Sequence, residues 1–347
     1  MAEASRANDP VRERFHFLVN APALFNAVTT AVELRIFSLL ADNPGCDFTA
    51  LQTATKVPGH QLRVLLQAVC ATDLLERRDG RYYNSAVAAE SLASDDDDSW
   101  GHILVGWKEV YYPAFAQMTE ALRAGTNTAL SRFPGNEPTL YQRLSRDPSL
   151  EAVFHRAMSA FTLRSVDGLV QREEFSKVSH LLDVGGGDGT TSARLVARYE
   201  GLRCTVFDMP SVSRLAADGP SGRLSDRVDL HPGDIFNDDF PVGADAVLFS
   251  HVLEIFAEEQ ILGLMKKAYD ALPAGGQVLV YGYNVSDDET AGIFGARLGL
   301  YFNVLASGQG MAYPARDYEQ WLRRVGFREV STVSGLPYEH GLTLGVK

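Results

Sequence analysis

The run Leu182-Asp183-Val184-Gly185-Gly186-Gly187-Asp188-Gly189 joins a short apolar strand, His180 to Val184, to a glycine-rich turn, and a helical pattern follows over Thr190 to Tyr199. The next apolar strand, Arg203 to Phe207, ends at Asp208. Val228 to His231 runs into Gly233-Asp234-Ile235-Phe236. Beyond it come a strand over Ala244–Ser250, a helix over about Ala257–Leu272 and a strand over Gln277–Tyr283. Strands alternating with helices predict an α/β fold, a doubly wound and mostly parallel sheet. Such sheets bind ligands at the carboxyl ends of their strands, near the point where strand order reverses. Each strand end here carries a chemically useful residue.

The whole chain has 347 residues, enough for two domains, or for one large domain with an appendage. Its apolar fraction of 46% allows a sizeable core and argues against a disordered or fibrous chain. The net charge of −12 repels phosphate, which disfavours nucleic acid and anionic membrane as partners. Cys46, Cys70 and Cys204 lie far apart, without the paired spacing of a zinc site or a disulfide framework, and fit a reduced, cytoplasmic setting. His155, His231 and His340 have no metal-binding spacing. Met1 to Arg14 shows no apolar signal core, and no uninterrupted apolar run approaches the roughly 20 residues of a membrane helix.

Residues 10–40 read as an amphipathic helix, with Leu18, Pro22, Phe25, Val28, Val32, Ile36 and Leu40 spaced for one face. Thr49 is a candidate cap for a short helix, Pro58-Gly59 a turn, and Gln61 to Leu75 a second helix. Leu74 to Tyr83 reads as a hairpin turning at Asp79-Gly80. Helix, turn, helix, hairpin is the winged-helix order. A DNA reader would carry basic and amide side chains on its second helix. Lys56, His60, Gln61, Arg63 and Gln67 are a thin set for that task, so the winged part reads as structural. Asp95 to Asp98 is a solvated loop or linker. Residues 100–178 look helical, with aromatic stretches at Trp107–Phe115 and Phe154–Phe161 that serve as core or wall a pocket.

The glycine turn also invites comparison with a dinucleotide fingerprint, Gly-x-Gly-x-x-Gly. Here the position of its last glycine is held by Thr190. Asp183, just before the turn, would repel a pyrophosphate but suits a cationic ligand. S-adenosylmethionine (SAM) is such a ligand, with a sulfonium, an ammonium and a ribose but no phosphate. Asp208, at the second strand end, can accept both ribose hydroxyls.

Taken together, Leu182–Gly189, Val206-Phe207-Asp208-Met209-Pro210, Gly233–Phe236 and Leu272-Pro273-Ala274-Gly275-Gly276 resemble the SAM-dependent small-molecule O-methyltransferases of the caffeate/hydroxyindole type, which in bacteria belong to natural-product pathways. The resemblance covers nearly the whole chain. It implies a Rossmann-like SAM-binding domain over residues 179–347, a helical, substrate-lining layer over 101–178, and a winged-helix-like dimerisation domain over 1–100, hence a homodimer. It further implies that Asp183, Gly185, Gly187, Asp208, Met209, Asp234, Ile235 and Ser250 form the SAM site. Phe154 and Met158 match the family's substrate-facing helix, and Phe161, Asn303 and Met311 extend the same lining. A planar aromatic or phenolic substrate suits it.

The sequence departs from that family where a His-Asp-Trp run normally follows the fourth strand and supplies the base. Glu254 stands at the base position, and Ile255 and Phe256 replace Asp and Trp. The acid that orients the family's base reads here as Gly282 or Tyr283. A free glutamate is a weak base toward a phenol, and an apolar surround strengthens a carboxylate as a base. Glu254 is thus a candidate base or substrate anchor, against the plainer role of a carboxylate at a helix start. His251, three residues earlier, either transfers a proton or packs under the cofactor. O-methylation is the family default. C-methylation of an electron-rich ring, or a SAM-binding chain that has lost methyl transfer, are the alternatives the missing base leaves open.

Overall fold

Asp9 accepts a hydrogen bond from Val11 N (3.0 Å) and proline fills the first turn, so helix α1 starts at Pro10 and runs to Glu33. The computed structural model describes residues 9–218 and 224–347; the first eight residues of the polar Met1–Arg14 stretch lie outside it. The helix expected over residues 10–40 is broken at Arg35, whose backbone is left-handed (φ 57°), and α2 follows as Ile36–Asp42. Helix α3 (Phe48–Thr55) is capped by Asp47, which accepts from Ala50 N, and not by Thr49, which lies inside the helix. Helix α4 (Gly59–Cys70) ends earlier than the expected Leu75, since Leu75 already opens a strand.

Strands β1 (Cys46–Asp47), β2 (Leu75–Arg78) and β3 (Arg81–Asn84) form a sheet in the order β1-β3-β2. The hairpin turns at Asp79 and Gly80, both with positive φ, as the tight two-residue turn requires. Ile36, Phe37, Leu40, Leu62, Leu66 and Val69 close the core of this first compact unit, which ends at Glu109. Along α1, Phe15, Leu18 and Val19 stay more than half exposed. By length and composition alone α1 is also apolar enough to cross a membrane, although His16, Asn20 and Asn26 interrupt its apolar run.

The second unit, Val110–Lys347, is built on a seven-stranded sheet. Its strands are β4 (His180–Val184), β5 (Arg203–Asp208), β6 (Val228–Pro232), β7 (Ala246–Ser250), β8 (Gln277–Tyr283), β9 (Arg328–Leu336) and β10 (His340–Val346), in the order β6-β5-β4-β7-β8-β10-β9. Strands β4 to β8 pair in parallel, and β10 is antiparallel to both β8 and β9. Strand order reverses between β4 and β7. The inner strands read almost continuously apolar because helices cover both faces. One apolar layer contains Leu182, Phe249, Ile261 and Leu264, and the other Leu169, Leu181, Leu195 and Leu248. The helices that bear on the site are α5 (Pro148–Ser165), α6 (Thr190–Arg198), α7 (Glu258–Ala271), α8 (Ile293–Tyr301) and α9 (Ala315–Val325).

Candidate active site

Strand register brings the site together. Val184 lies opposite both Phe207 and Phe249, so the residues that follow, Gly185, Asp208 and Ser250, line one carboxyl edge of the sheet. The chain must then turn sharply, and Gly187 does so at φ 63° with open space where a Cβ would stand. Gly187 N donates to Asp208 Oδ2 (2.8 Å) and Met209 N to Oδ1 (2.7 Å). Burial raises the Asp208 pKa, partly countered by these two hydrogen bonds. Asp183 is fully buried. Its Oδ2 accepts from Ser192 Oγ at 2.7 Å, while its Oδ1 has no hydrogen-bond partner among the described residues. Burial pushes the Asp183 pKa up to about 7.

This cradle fits SAM. An orphaned buried carboxylate oxygen wants a cationic or N–H-bearing neighbour, and the space over Gly187 leaves the backbone approachable. Asp188, in the same turn, was not singled out by the sequence reading. Its Oδ2 accepts from Ser159 Oγ of α5 at 2.5 Å, and its Oδ1 from Thr190 N and Oγ1, which ties α5 to the start of α6.

Asp234 turns its carboxylate onto its own loop: Oδ1 accepts from Phe236 N (2.8 Å) and Oδ2 from Asn237 Nδ2 (2.8 Å). Ile235 packs against the core, and its carbonyl accepts from Lys267 Nζ. Both lie just beyond β6.

After Ser250 the chain takes a strained step. His251 has φ 59°, rare for a side chain of that size. A short 3₁₀ turn, Leu253–Ile255, then swings Glu254 back beneath it. His251 Nδ1 lies 3.3 Å from Glu254 Oε1, so the two residues form one unit despite their separation along the chain. Glu254 is 2% exposed and His251 22%. Glu254 is not a helix-start carboxylate, because α7 begins only at Glu258. Ser307 Oγ donates to Ile255 O and Tyr313 Oη to Phe256 O, clamping the turn from the far side.

A third member of the group was missed by the sequence reading, which weighed His340 only as a metal ligand. Because β10 is antiparallel, its first residue arrives at the same carboxyl edge. His340 pairs with Tyr283, and its Nε2 lies 3.3 Å from His251 Nε2. No spacing signal joins positions 251 and 340; only the topology does.

Aromatic side chains surround this group. Phe161 packs near Tyr283 (5.9 Å between ring centres), Phe294 and His340. Phe154 stands edge-on to Tyr141, and Met158 Sδ accepts from Tyr111 Oη at 3.5 Å. Tyr111 stacks on Tyr301 at 3.9 Å. The Arg297 guanidinium carbon is 5.9 Å from the Tyr111 ring centre, and its charge reaches Tyr111, Tyr112 and Tyr283. Asn303 spends its amide hydrogens on Gly299 O and Gly310 O, and Met311 packs over Gly299, so both brace α8. Burial raises the Tyr111, Tyr141 and Tyr283 pKas, Tyr111 to about 12. These phenols stay protonated near neutrality.

Residues 115–328 match the model of the O-methyltransferase domain. The chain is 32% identical over 319 residues to an L-tyrosine C(3)-methyltransferase of Streptomyces lavendulae, covering 91% of this chain and 86% of that one. It is also 32% identical over 324 residues to a 3-hydroxy-5-methyl-1-naphthoate 3-O-methyltransferase of Streptomyces sahachiroi, covering 92% and 91%. Among solved structures, the S-adenosylmethionine-dependent methyltransferase SibL superposes with a TM-score of 0.81 at 32% identity, covering 96% of this chain and 98% of that one. Human N-acetylserotonin methyltransferase in complex with SAM shares the fold at a TM-score of 0.87 and 23% identity, with 98% of each chain covered.

Proposed function

The chain belongs to the O-methyltransferase family, and from that premise we propose that it is a SAM-dependent methyltransferase whose His251–Glu254 pair takes a proton from a phenolic substrate. SAM supplies an electrophilic methyl group on a positively charged sulfur. The chain's own residues do the rest. Asp183 and the turn Gly185–Gly187 receive the cationic amino-acid end, and Asp208 accepts the ribose hydroxyls. Met209, Asp234, Ile235 and Ser250 complete the cofactor wall.

The observation that carries the reading is the 3.3 Å contact between His251 and Glu254, buried at the carboxyl edge of the sheet. A phenol is a poor nucleophile until it loses its proton. The pair accepts that proton, and the phenolate then attacks in line with the methyl–sulfur bond. Holding the two reactants aligned supplies much of the remaining acceleration. Phe154, Met158 and Phe161 support a flat, apolar ring as the substrate.

Arg297 supports a finer reading. Its guanidinium carbon lies 5.9 Å from the Tyr111 ring centre. A ligand that brings a phenol toward Glu254 and a carboxylate toward Arg297 suits that charge pattern. The relative named for L-tyrosine is consistent with this class.

A second reading, methylation of the ring carbon next to the hydroxyl, is favoured by the replacement of the His-Asp-Trp run by Glu254, Ile255 and Phe256. In that reading the same phenolate pushes electrons to the ring, and the displaced ring proton leaves to solvent.

We also read α1 as a dimer-forming helix, since it presents Phe15, Leu18 and Val19 to its surroundings. Winged-helix-like packing before residue 100 then serves assembly. Three free cysteines fit a reduced, cytoplasmic compartment.

Product mass analysis tests the function. SAM is offered with tyrosine, tyramine and hydroxylated aromatic acids. The expected result is one added methyl group, more efficiently on carboxylated members, with fragmentation assigning it to oxygen or carbon. Bound SAM with no methylated product from any phenol would reject the reading.

A further inference from the structure

His340 is a buried side chain whose hydrogen bonds leave it one protonation pattern. Its Nδ1 lies 2.6 Å from Pro337 O. A carbonyl can only accept, so Nδ1 carries the hydrogen. Burial, reinforced by the neighbouring His251, lowers the His340 pKa to about 3, so the ring is neutral near neutrality and its Nε2 is a bare acceptor. That Nε2 faces His251 Nε2 at 3.3 Å, which must therefore be the donor. His251 Nδ1 is then left facing Glu254 Oε1 at 3.3 Å with no hydrogen between them, two acceptors whose mutual repulsion a single added proton relieves.

We propose that His340 is a positioning residue that fixes His251 as the Nε2–H tautomer, reserving the space between His251 Nδ1 and Glu254 for the single proton the substrate gives up. The inference rests on the base role assigned above to that pair. The proton balance closes: the phenol O–H bond breaks, its hydrogen passes to the pair, and its electron pair stays on oxygen. With the opposite His340 tautomer, His251 would turn an N–H toward Glu254 and the pair would be filled before substrate arrived.

The other groups facing these rings do not compete. Tyr281 stacks on His340 at 4.9 Å and 18°, and Tyr283 lies 4.4 Å from it. Both also stand 5.5 Å from the His251 ring. Burial raises both phenol pKas, so they remain neutral. Tyr281 Oη already donates to Ser165 O at 2.7 Å.

Nitrogen NMR on the full chain labelled at histidine reads the tautomers directly. Between pH 6 and 8, His340 should be neutral and protonated on Nδ1, and His251 should carry a hydrogen on Nε2 throughout. His340→Phe, which removes the acceptor, should lower kcat about 10- to 100-fold, less than loss of a base itself. Its KM for SAM should hold, and the NMR should show mixed His251 tautomers. His340→Gln offers an amide oxygen in the same direction and should restore most of kcat. A hydrogen on His340 Nε2, or wild-type kcat in His340→Phe, would overturn the proposal. If the Phe variant does not fold, the wild-type spectrum decides alone. Correct tautomers together with full turnover in Glu254→Gln would instead sink the base role and leave the tautomer assignment standing.

Discussion

The carboxylate of Glu254 occupies the space that a side chain at residue 282 would need: a Cβ placed on Gly282 would collide with Glu254 Oε2. The two residues are linked across the sheet edge, since β8 ends beside the turn that carries Glu254. In the related pattern an acid near position 282 orients a histidine base. Here that acid reads as Gly282 or Tyr283; the glycine at 282 makes room for the carboxylate that arrives from residue 254.

Gly282→Ala should therefore displace Glu254. Overpacking of this kind costs about 1–3 kcal/mol, read as a lower denaturation midpoint, and kcat should fall with it. Adding Glu254→Ala should recover stability but not turnover. A double-mutant cycle that shows no coupling between 254 and 282 would remove the link.

Asp183 gives the fold a pH dependence. Its pKa is about 7 in the folded chain, above the ordinary value near 4, so its protonated form favours folding. That contribution is fully present below about pH 4 and is lost as pH rises through about 7. The span corresponds to at most about 4 kcal/mol. Asp183→Asn, which cannot ionise, should lose this part of the decline, so its stability relative to wild type should rise from pH 5 to pH 8. Chemical denaturation at both pH values checks it. A cationic ligand favours the ionised form, so wild type should also release protons on binding SAM near pH 6–7, visible by calorimetry in buffers of different ionisation heat.

How much of this was readable in advance follows from distance along the chain. Asp183, Gly185, Gly187 and Asp208 sit where strands end, and strand ends announce themselves through apolar runs cut by glycine or acid. The strand Gln277–Tyr283 matched residue for residue because its nearly continuous apolar run is bounded by Gly275-Gly276 and Asn284. The break at Arg35 was hidden, because nothing in Leu34-Arg35-Ile36 forbids helix; packing of α2 on β3 and α3 goes with the turn. His340 was hidden more deeply. It meets His251 through antiparallel pairing of β10 with β8, and no local pattern encodes that pairing. The proximity of His251 and Glu254 needed a positive φ at a non-glycine residue, which sequence periodicity does not register.

Exposure of Phe15, Leu18 and Val19 predicts assembly. Light scattering on the full chain should report a dimer, and Phe15→Asp with Leu18→Asp should shift it toward monomer while leaving the second unit's fold intact by circular dichroism. A stable wild-type monomer would contradict the dimer reading. Recovery of wild type only in membrane or detergent would instead assign α1 to a bilayer.

The proton-accepting pair is tested most directly by the turnover of Glu254→Gln on a phenolic substrate that wild type methylates, measured at saturating SAM across pH 6–9. Glutamine keeps the shape and its amide N–H can donate to His251 Nδ1, but it cannot take the proton. We expect kcat to fall by about 10²–10⁴, with SAM affinity nearly unchanged because Asp183, Gly187 and Asp208 are untouched. Wild-type turnover across that range would contradict the account, and a raised Michaelis constant with kcat retained would reduce Glu254 to a substrate anchor.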